Sequence, residues 1–211
     1  MSAKALVTGG AGFIGGRLIE SLVADGHGVR ALARSRSSAD SVAALGAEPA
    51  RGELGDPESL LAAATGCDVA FHAAAKVEDS GPWEEFERDN VQGTRNVAEA
   101  CAAAGVRRLV HVSTEAVLIA GDPLRTDSRA PYSRSKALAE RALLAADADG
   151  LERVVVRPRF VWGAGDLTLL PEMVEMVRSG RFAWIGGGRH LTDTTHVDNV
   201  VCGLRLAADR G

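Results

Sequence analysis

Tyr132 is the only tyrosine in the chain, and Lys136 is one of three lysines set against twenty-one arginines. The two stand four positions apart in "PYSRSKA", a spacing that puts both on one face of a helix. A phenol with a pKa near ~10 is a poor base at neutral pH, but an ammonium a few ångströms away favours the phenolate and lowers that value by ~1–3 units. Such a pair suits proton exchange with an alcohol or ketone oxygen. If a nicotinamide ring lies beside the same cleft, hydride exchange at carbon completes an oxidation or a reduction. Lysine serves here better than arginine because it is a compact donor that also reaches ribose hydroxyls. "RLVHVSTEAV" adds Ser113 and Thr114 at a strand end as hydroxyls that can steady a substrate oxygen, although capping or turn chemistry is the commoner use of a hydroxyl there.

The stretch "ALVTGGAGFIGGRL" passes from an apolar run into an amphipathic one through Gly9, Gly10, Gly12 and Gly15. It satisfies both glycine spacings of a dinucleotide seat: the first glycine for the tight turn, Gly12 for close approach of a pyrophosphate, Gly15 for helix–sheet packing. The alternative is a purely structural turn. An NAD site should carry a carboxylate about 20 residues further on, at the end of the second strand. No Asp or Glu stands between Asp25 and Asp40; Arg34 and Arg36 occupy that region instead. Guanidinium groups suit a 2′-phosphate, so the expected cofactor is NADP in preference to NAD, against the plainer reading of two solvated arginines.

These residues need a frame, and the chain writes one. Strands are expected at Ala3–Thr8, Val29–Ala33, Pro49–Gly52, Val69–Ala73, Arg108–Ser113 and Arg153–Arg157, and helices at Phe13–Asp25, Ser38–Leu45, Pro57–Ala64, Pro82–Ala104 and Pro131–Ala146. That alternation predicts an α/β fold of the Rossmann type, a doubly wound parallel sheet forming one domain over residues 1–211. After Pro158 the alternation fades, and residues 158–211 read as a small, incomplete substrate region with a helix near Pro171–Ser179 and a final helix through "NVVCGLRLAADR". Phe160, Trp162, Phe182, Trp184 and Ile185 are either lining for an apolar pocket or core packing, core being the commoner fate of such residues.

Composition sets the class. With 211 residues, 46% hydrophobic, 25% charged and a formal net charge of −4, the chain reads as a globular domain with no attraction to polyanions, so nucleic acid is not an expected partner. No apolar stretch approaches the roughly 18 residues of a membrane span and no leader pattern precedes the first strand, which reads as cytoplasmic. Cys67, Cys101 and Cys202 are scattered, as reduced and mostly buried thiols would be. The five histidines read as packing or surface residues, and no metal site is expected.

In combination, "TGGAGFIG", "FHAAA", "NVQGTRNV", "VSTEAV", "YSRSK", "RPRFVWGAGD" and "HVDNV" make the whole chain resemble the extended short-chain dehydrogenase/reductases, the NAD-dependent epimerase/dehydratase superfamily. The tail looks most like its 3β-hydroxysteroid dehydrogenase and sterol-4-carboxylate 3-dehydrogenase branch. The resemblance implies an oxidoreductase interconverting a secondary alcohol and a ketone on an apolar small molecule, with Tyr132 as acid/base, Lys136 as its partner, and Thr114, or failing it Ser113, orienting the substrate. It implies cofactor contacts at Gly9, Gly12, Phe13, Ile14, Gly15, Ala73, Ala74, Tyr132, Lys136 and Pro158, and at Glu53 and Leu54, where many relatives have an Asp-Leu or Asp-Ile pair. Asn90 matches the family's "NVxGT" asparagine, structural or near the cofactor.

Departures bear on the substrate. Thr114 is followed by Glu115 and Ala116 rather than by two acids, and then by "VLIAG" rather than Val-Tyr-Gly, which lowers the standing of sugar nucleotides. Seventeen residues separate Thr114 from Tyr132, implying a short loop and an open entrance. Relatives are usually longer, so the chain reads as naturally minimal or as a fragment lacking substrate cover. The rival readings are a nucleotide-sugar epimerase, a flavonoid-type ketone reductase and a non-catalytic NAD(P)-binding regulator, the last having little use for a Tyr–Lys pair. A homodimer through the helices at Pro82–Ala104 and Pro131–Ala146 is a further implication.

Overall fold

A computed structural model describes residues 3–78, 80–118 and 124–210; the Ile185 side chain lies outside the described set. Strands β1 (Lys4–Thr8), β2 (Gly28–Ala33), β3 (Glu48–Arg51), β4 (Val69–His72), β5 (Arg108–Val112) and β6 (Glu152–Val156) form one parallel sheet in the order β3-β2-β1-β4-β5-β6. These are the six strands expected, with ends shifted by one residue. A parallel sheet must be crossed over by helices and covered on both faces, and the strand sequences carry two apolar sets for that purpose. Val7, Ala31, Phe71 and Val110 pack on one face with helices α1 (Phe13–Ala24) and α8 (Val197–Arg210). Leu6, Ala70 and Leu109 pack on the other with α3 (Pro57–Ala64), α5 (Gly93–Ala103) and α6 (Pro131–Ala145).

Local chemistry sets the helix starts. Helix α2 (Arg36–Ala44) begins two residues earlier than expected because Ser35 caps it reciprocally with Ser38. Asp56 caps α3, whose first residue is Pro57. Helix α7 (Leu169–Arg178) also starts two residues early, because the Asp166 carboxylate accepts from the N–H groups of Leu169 at 3.1 Å and Leu170 at 2.9 Å. The one helix expected over Pro82–Ala104 is three pieces: α4 (Trp83–Phe86), a π-helical turn over Glu87–Gln92, and α5. Its extra residue accompanies Asn90, whose side chain takes the Lys76 N–H at 2.7 Å and donates to the Lys76 carbonyl and the Ser135 hydroxyl. A parallel pair, β7 (Val161–Trp162) with β8 (Thr195–His196), was not expected; two residues per strand leave too short a pattern to read.

Chain order reverses between β1 and β4, and there the sheet leaves a crevice at its carboxyl edge. Gly9 turns out of β1 with φ +74°, and a Cβ on it would sit 2.6 Å from the Ala74 nitrogen, in the turn that leaves β4. Gly15 lies so close that its Cβ would fall 2.2 Å from the Gly9 carbonyl oxygen. Both glycines are therefore required by contact. Among the described residues no helix is long and apolar enough to cross a membrane.

Two glycines make opposite predictions. Gly15→Ala forces the turn open and should lower unfolding free energy by about 1–3 kcal/mol, as overpacking does. Gly203→Ala, in α8 with nothing among the described residues within 4 Å of the new Cβ, should raise it by roughly 0.5–1 kcal/mol. Denaturant unfolding of both variants checks the pair; equal effects would refute the contact argument.

Candidate functional site

Helix α6 opens with Ala130 in extended conformation and Pro131 at its first position, so Tyr132 lies in the first turn and Lys136 one turn inward. Lys136 is buried at 2% exposure. Its Nζ donates to the Val112 carbonyl at 2.7 Å and lies 3.4 Å from His111 Nε2. Burial brings the Lys136 ammonium down to about 8, and the Glu140 carboxylate one turn further on opposes that fall. Tyr132 is half-buried, with the Thr114 hydroxyl near its phenol. Burial pushes the Tyr132 phenol above its ordinary value, and Thr114 works against that rise. The depressed phenol expected from spacing is thus not found in this structure, because desolvation acts on the phenol first and raises it.

The two hydroxyls of "VST" part ways. Ser113 is buried and donates to Glu140, a carboxylate only 1% exposed that also receives Arg157 through two bonds of 2.9 and 2.6 Å. Thr114 faces Tyr132 and also accepts the Ala116 N–H at 3.3 Å, so it caps the short turn Glu115–Val117 while standing at the site. Ser135 joins the same layer, bonded to Asn90 and to the Tyr132 carbonyl at 2.8 Å each.

Beneath lies a polar row that the sequence did not reveal. Parallel register sets Thr8 opposite His72 and His72 opposite His111. His72 Nδ1 meets Thr8 Oγ1 at 2.7 Å, its Nε2 meets Thr94 Oγ1 at 3.0 Å, and its ring centroid is 5.1 Å from that of His111. Both imidazoles are fully buried, as packing histidines, and burial with the Lys136 charge holds His72 down to about 3 and His111 well below its usual range. The only sequence signal was a histidine near the end of each of two strands, which means nothing until register pairs them.

The glycine turn collects Gly9, Gly12 and Gly15 with Ala73 and Ala74: Gly12 N–H bonds the Gly9 carbonyl at 2.9 Å, and Ala74 N–H bonds Thr8 Oγ1 at 3.3 Å. Phe13 and Ile14 open α1 half-buried. Arg34 leaves β2 and Arg36 begins α2, both exposed. Glu53 is exposed and its N–H bonds Ser59 Oγ at 3.3 Å, while the Leu54 carbonyl accepts from Asn96 at 2.8 Å. The Pro158 carbonyl accepts the Glu115 N–H at 3.2 Å, which ties the turn after β6 to the one after β5.

Core packing does not account for the aromatic residues beyond Pro158. Phe160 is 49% exposed, with φ 39°, and Trp184 is 74% exposed. Trp162 packs edge-on against His196, and Phe182 against Trp184.

Comparison with known proteins agrees with this architecture. The 4-hydroxy-2-methyl-3-oxo-4-farnesyl-3,4-dihydroquinoline-1-oxide ketoreductase of Stigmatella aurantiaca is 48% identical over 217 residues, covering 99% of this chain and 65% of that protein. The sterol-4-alpha-carboxylate 3-dehydrogenase, decarboxylating, of Dictyostelium discoideum is 33% identical over 221 residues, covering 97% and 67%. The chain thus spans about two-thirds of the length of these curated relatives. Among solved structures, MoeE5 in complex with UDP-glucose and NAD superposes with a TM-score of 0.73 at 30% identity, covering 99% of this chain and 73% of that one. The family model for the NAD dependent epimerase/dehydratase family matches residues 5–211, and the chain belongs to that family.

Proposed function

We propose that this chain carries the dinucleotide seat and proton-transfer site of an NAD(P)-dependent ketone reductase acting on an apolar small molecule. The carrying observation is the half-buried Tyr132 phenol, raised by desolvation and met by Thr114, one turn from a buried Lys136. A phenol held protonated at neutral pH is poised to give a proton to a carbonyl oxygen, which favours reduction over oxidation. Thr114 donates to the same oxygen and orients it. Lys136 supplies positive charge that stabilises the phenolate left behind. Gly9, Gly12 and Gly15, with Ala73 and Ala74, draw the backbone together so closely that a Cβ at Gly9 or Gly15 would strike the chain itself, and such a bare turn at the start of α1 suits the approach of a dinucleotide's pyrophosphate. When bound, its nicotinamide supplies the hydride.

The name of the Stigmatella relative, a ketoreductase acting on a farnesylated ring, supports an apolar ketone, as do exposed Phe160 and Trp162 beyond Pro158. A nucleotide sugar is the second reading, supported by the MoeE5 likeness. Against it stand the residues after Thr114: Ala116 replaces the second acid that a sugar-nucleotide dehydratase would need, and Glu115 is paired with Arg159 at 2.8 Å. For the cofactor we favour NADP: Arg34 and Arg36 stand exposed at the end of β2 with no carboxylate between Asp25 and Asp40.

Three outcomes test these assignments. Tyr132→Phe should cut turnover of apolar cyclic ketones, followed at the nicotinamide absorbance, by about 10²–10⁴-fold while dinucleotide affinity stays level; a wild-type chain that binds dinucleotide yet turns over no ketone or UDP-sugar would favour a sensor instead. Replacing Arg34 and Arg36 together by Ala should weaken NADPH binding about tenfold or more and leave NADH nearly unchanged, as loss of charge-assisted phosphate bonds predicts; equal loss for both refutes the NADP preference. Because Tyr132 is the single phenol, absorbance titration reads it alone. Its midpoint in the cofactor-free protein should lie above ~10, and Thr114→Val should move it higher still; a midpoint below that value contradicts the raised phenol.

A further inference from the structure

His72 and His111 are paired by register, yet they are not equally served. His72 has a hydroxyl on each nitrogen, Thr8 on Nδ1 and Thr94 on Nε2. His111 has the Lys136 Nζ at 3.4 Å from its Nε2, and its Nδ1 has no partner among the described residues. A charged ammonium only donates, so the Nε2 facing it must carry the lone pair and the ring proton must sit on Nδ1. That buried N–H goes unmet, a cost that a core histidine with no other task would avoid by substitution.

The ammonium has three N–H bonds. One is taken by the Val112 carbonyl at 2.7 Å and one is directed at His111. With two corners of a tetrahedron fixed, the third is fixed too. We propose that His111 is a positioning residue for Lys136: together with the Val112 carbonyl it holds two of the ammonium's donors and so aims the third away from β5, into the cleft. This rests on the reading above that Lys136 serves the Tyr132 site. The groups around the ammonium are few. His111 comes from β5 and His72 lies behind it on β4, while Tyr132 and Glu140 flank it on α6; Glu140 is itself engaged by Arg157 and Ser113. Burial and the Lys136 charge keep His111 neutral, so it stays an acceptor across the whole range in which Lys136 titrates.

The test needs no turnover. Lys4, Lys76 and Lys136 are the only lysines, so isotope-labelled lysine side chains give three NMR titrations, and Lys136→Met identifies the one of interest. His111→Leu should lower the Lys136 midpoint by about one pKa unit, as loss of a hydrogen bond to a charged group implies, and weaken NADPH binding about tenfold. His111→Gln, which returns an acceptor near the Nε2 position, should restore both. An unchanged Lys136 midpoint in a folded His111→Leu protein overturns the proposal. If that variant does not fold, the wild-type His111 tautomer decides: a proton on Nδ1 supports the assignment and a proton on Nε2 overturns it. Should the enzymatic reading fail, ketones go unreduced while the Lys136 midpoint still responds to His111; should this proposal fail, the reverse holds.

Discussion

A cation placed inside a parallel sheet's helical layer constrains everything near it. Lys136 is nearly inaccessible, and burial, partly offset by the Glu140 carboxylate, moves its proton affinity from the 10.5 of a free lysine to about 8. The sign follows from linkage. An unfolded chain keeps the proton up to the higher value and the folded chain gives it up near the lower one, so below pH 8 the charged Lys136 detracts from stability, and that penalty shrinks as pH rises towards 10.5. A fold carries such a liability only where neighbouring groups are arranged around it. Here they are the Val112 carbonyl, His111 and, one helical turn away, Glu140.

Glu140 brings its own requirement. A carboxylate 1% exposed is tolerable only when paired, and Arg157 and Ser113 supply the pair and the hydroxyl. That fixes the end of β5 and the residue after β6 against the middle of α6. Asn90 does the same for the other flank, joining the Lys76 backbone to Ser135 beside Tyr132, and the π-helical turn is how α4 and α5 accommodate it. The polar layer therefore carries the orientation of Tyr132. The apolar faces beneath it decide only that a sheet exists.

What could be read in the sequence follows from this division. Apolar alternation and helical period are local patterns, so six strands, the glycine turn and the helices other than the broken one over Pro82–Ala104 were legible within a residue or two. Tyr132 and Lys136 were legible as a pair because four residues on a helix fix a common face. Depth was not: spacing says nothing of how far inward a side chain lies, and desolvation reversed the expected effect on the phenol. Choosing Thr114 over Ser113 as the hydroxyl beside Tyr132 required knowing where β5 ends, and the histidine pair required the register between two strands 39 positions apart. Each of these missing facts is non-local.

The same division explains why a chain so rich in arginine writes lysine at 136. Its strand arginines meet the carbonyl ends of helices: Arg30 donates to Ala63 and Thr65 at the end of α3, Arg108 to Ala207 and Ala208 in α8, and Arg153 to Leu143 and Ala146 at the end of α6. There several unsatisfied acceptors converge, and a broad guanidinium fork with permanent charge matches both their number and the helix dipole. The space under Tyr132 offers one carbonyl and one imidazole nitrogen. Five donors would leave most unmet, and a guanidinium cannot release its proton to lighten the cost. A compact ammonium with three donors meets both acceptors and has one left, and that surplus donor sets Lys136 apart from the arginines around it.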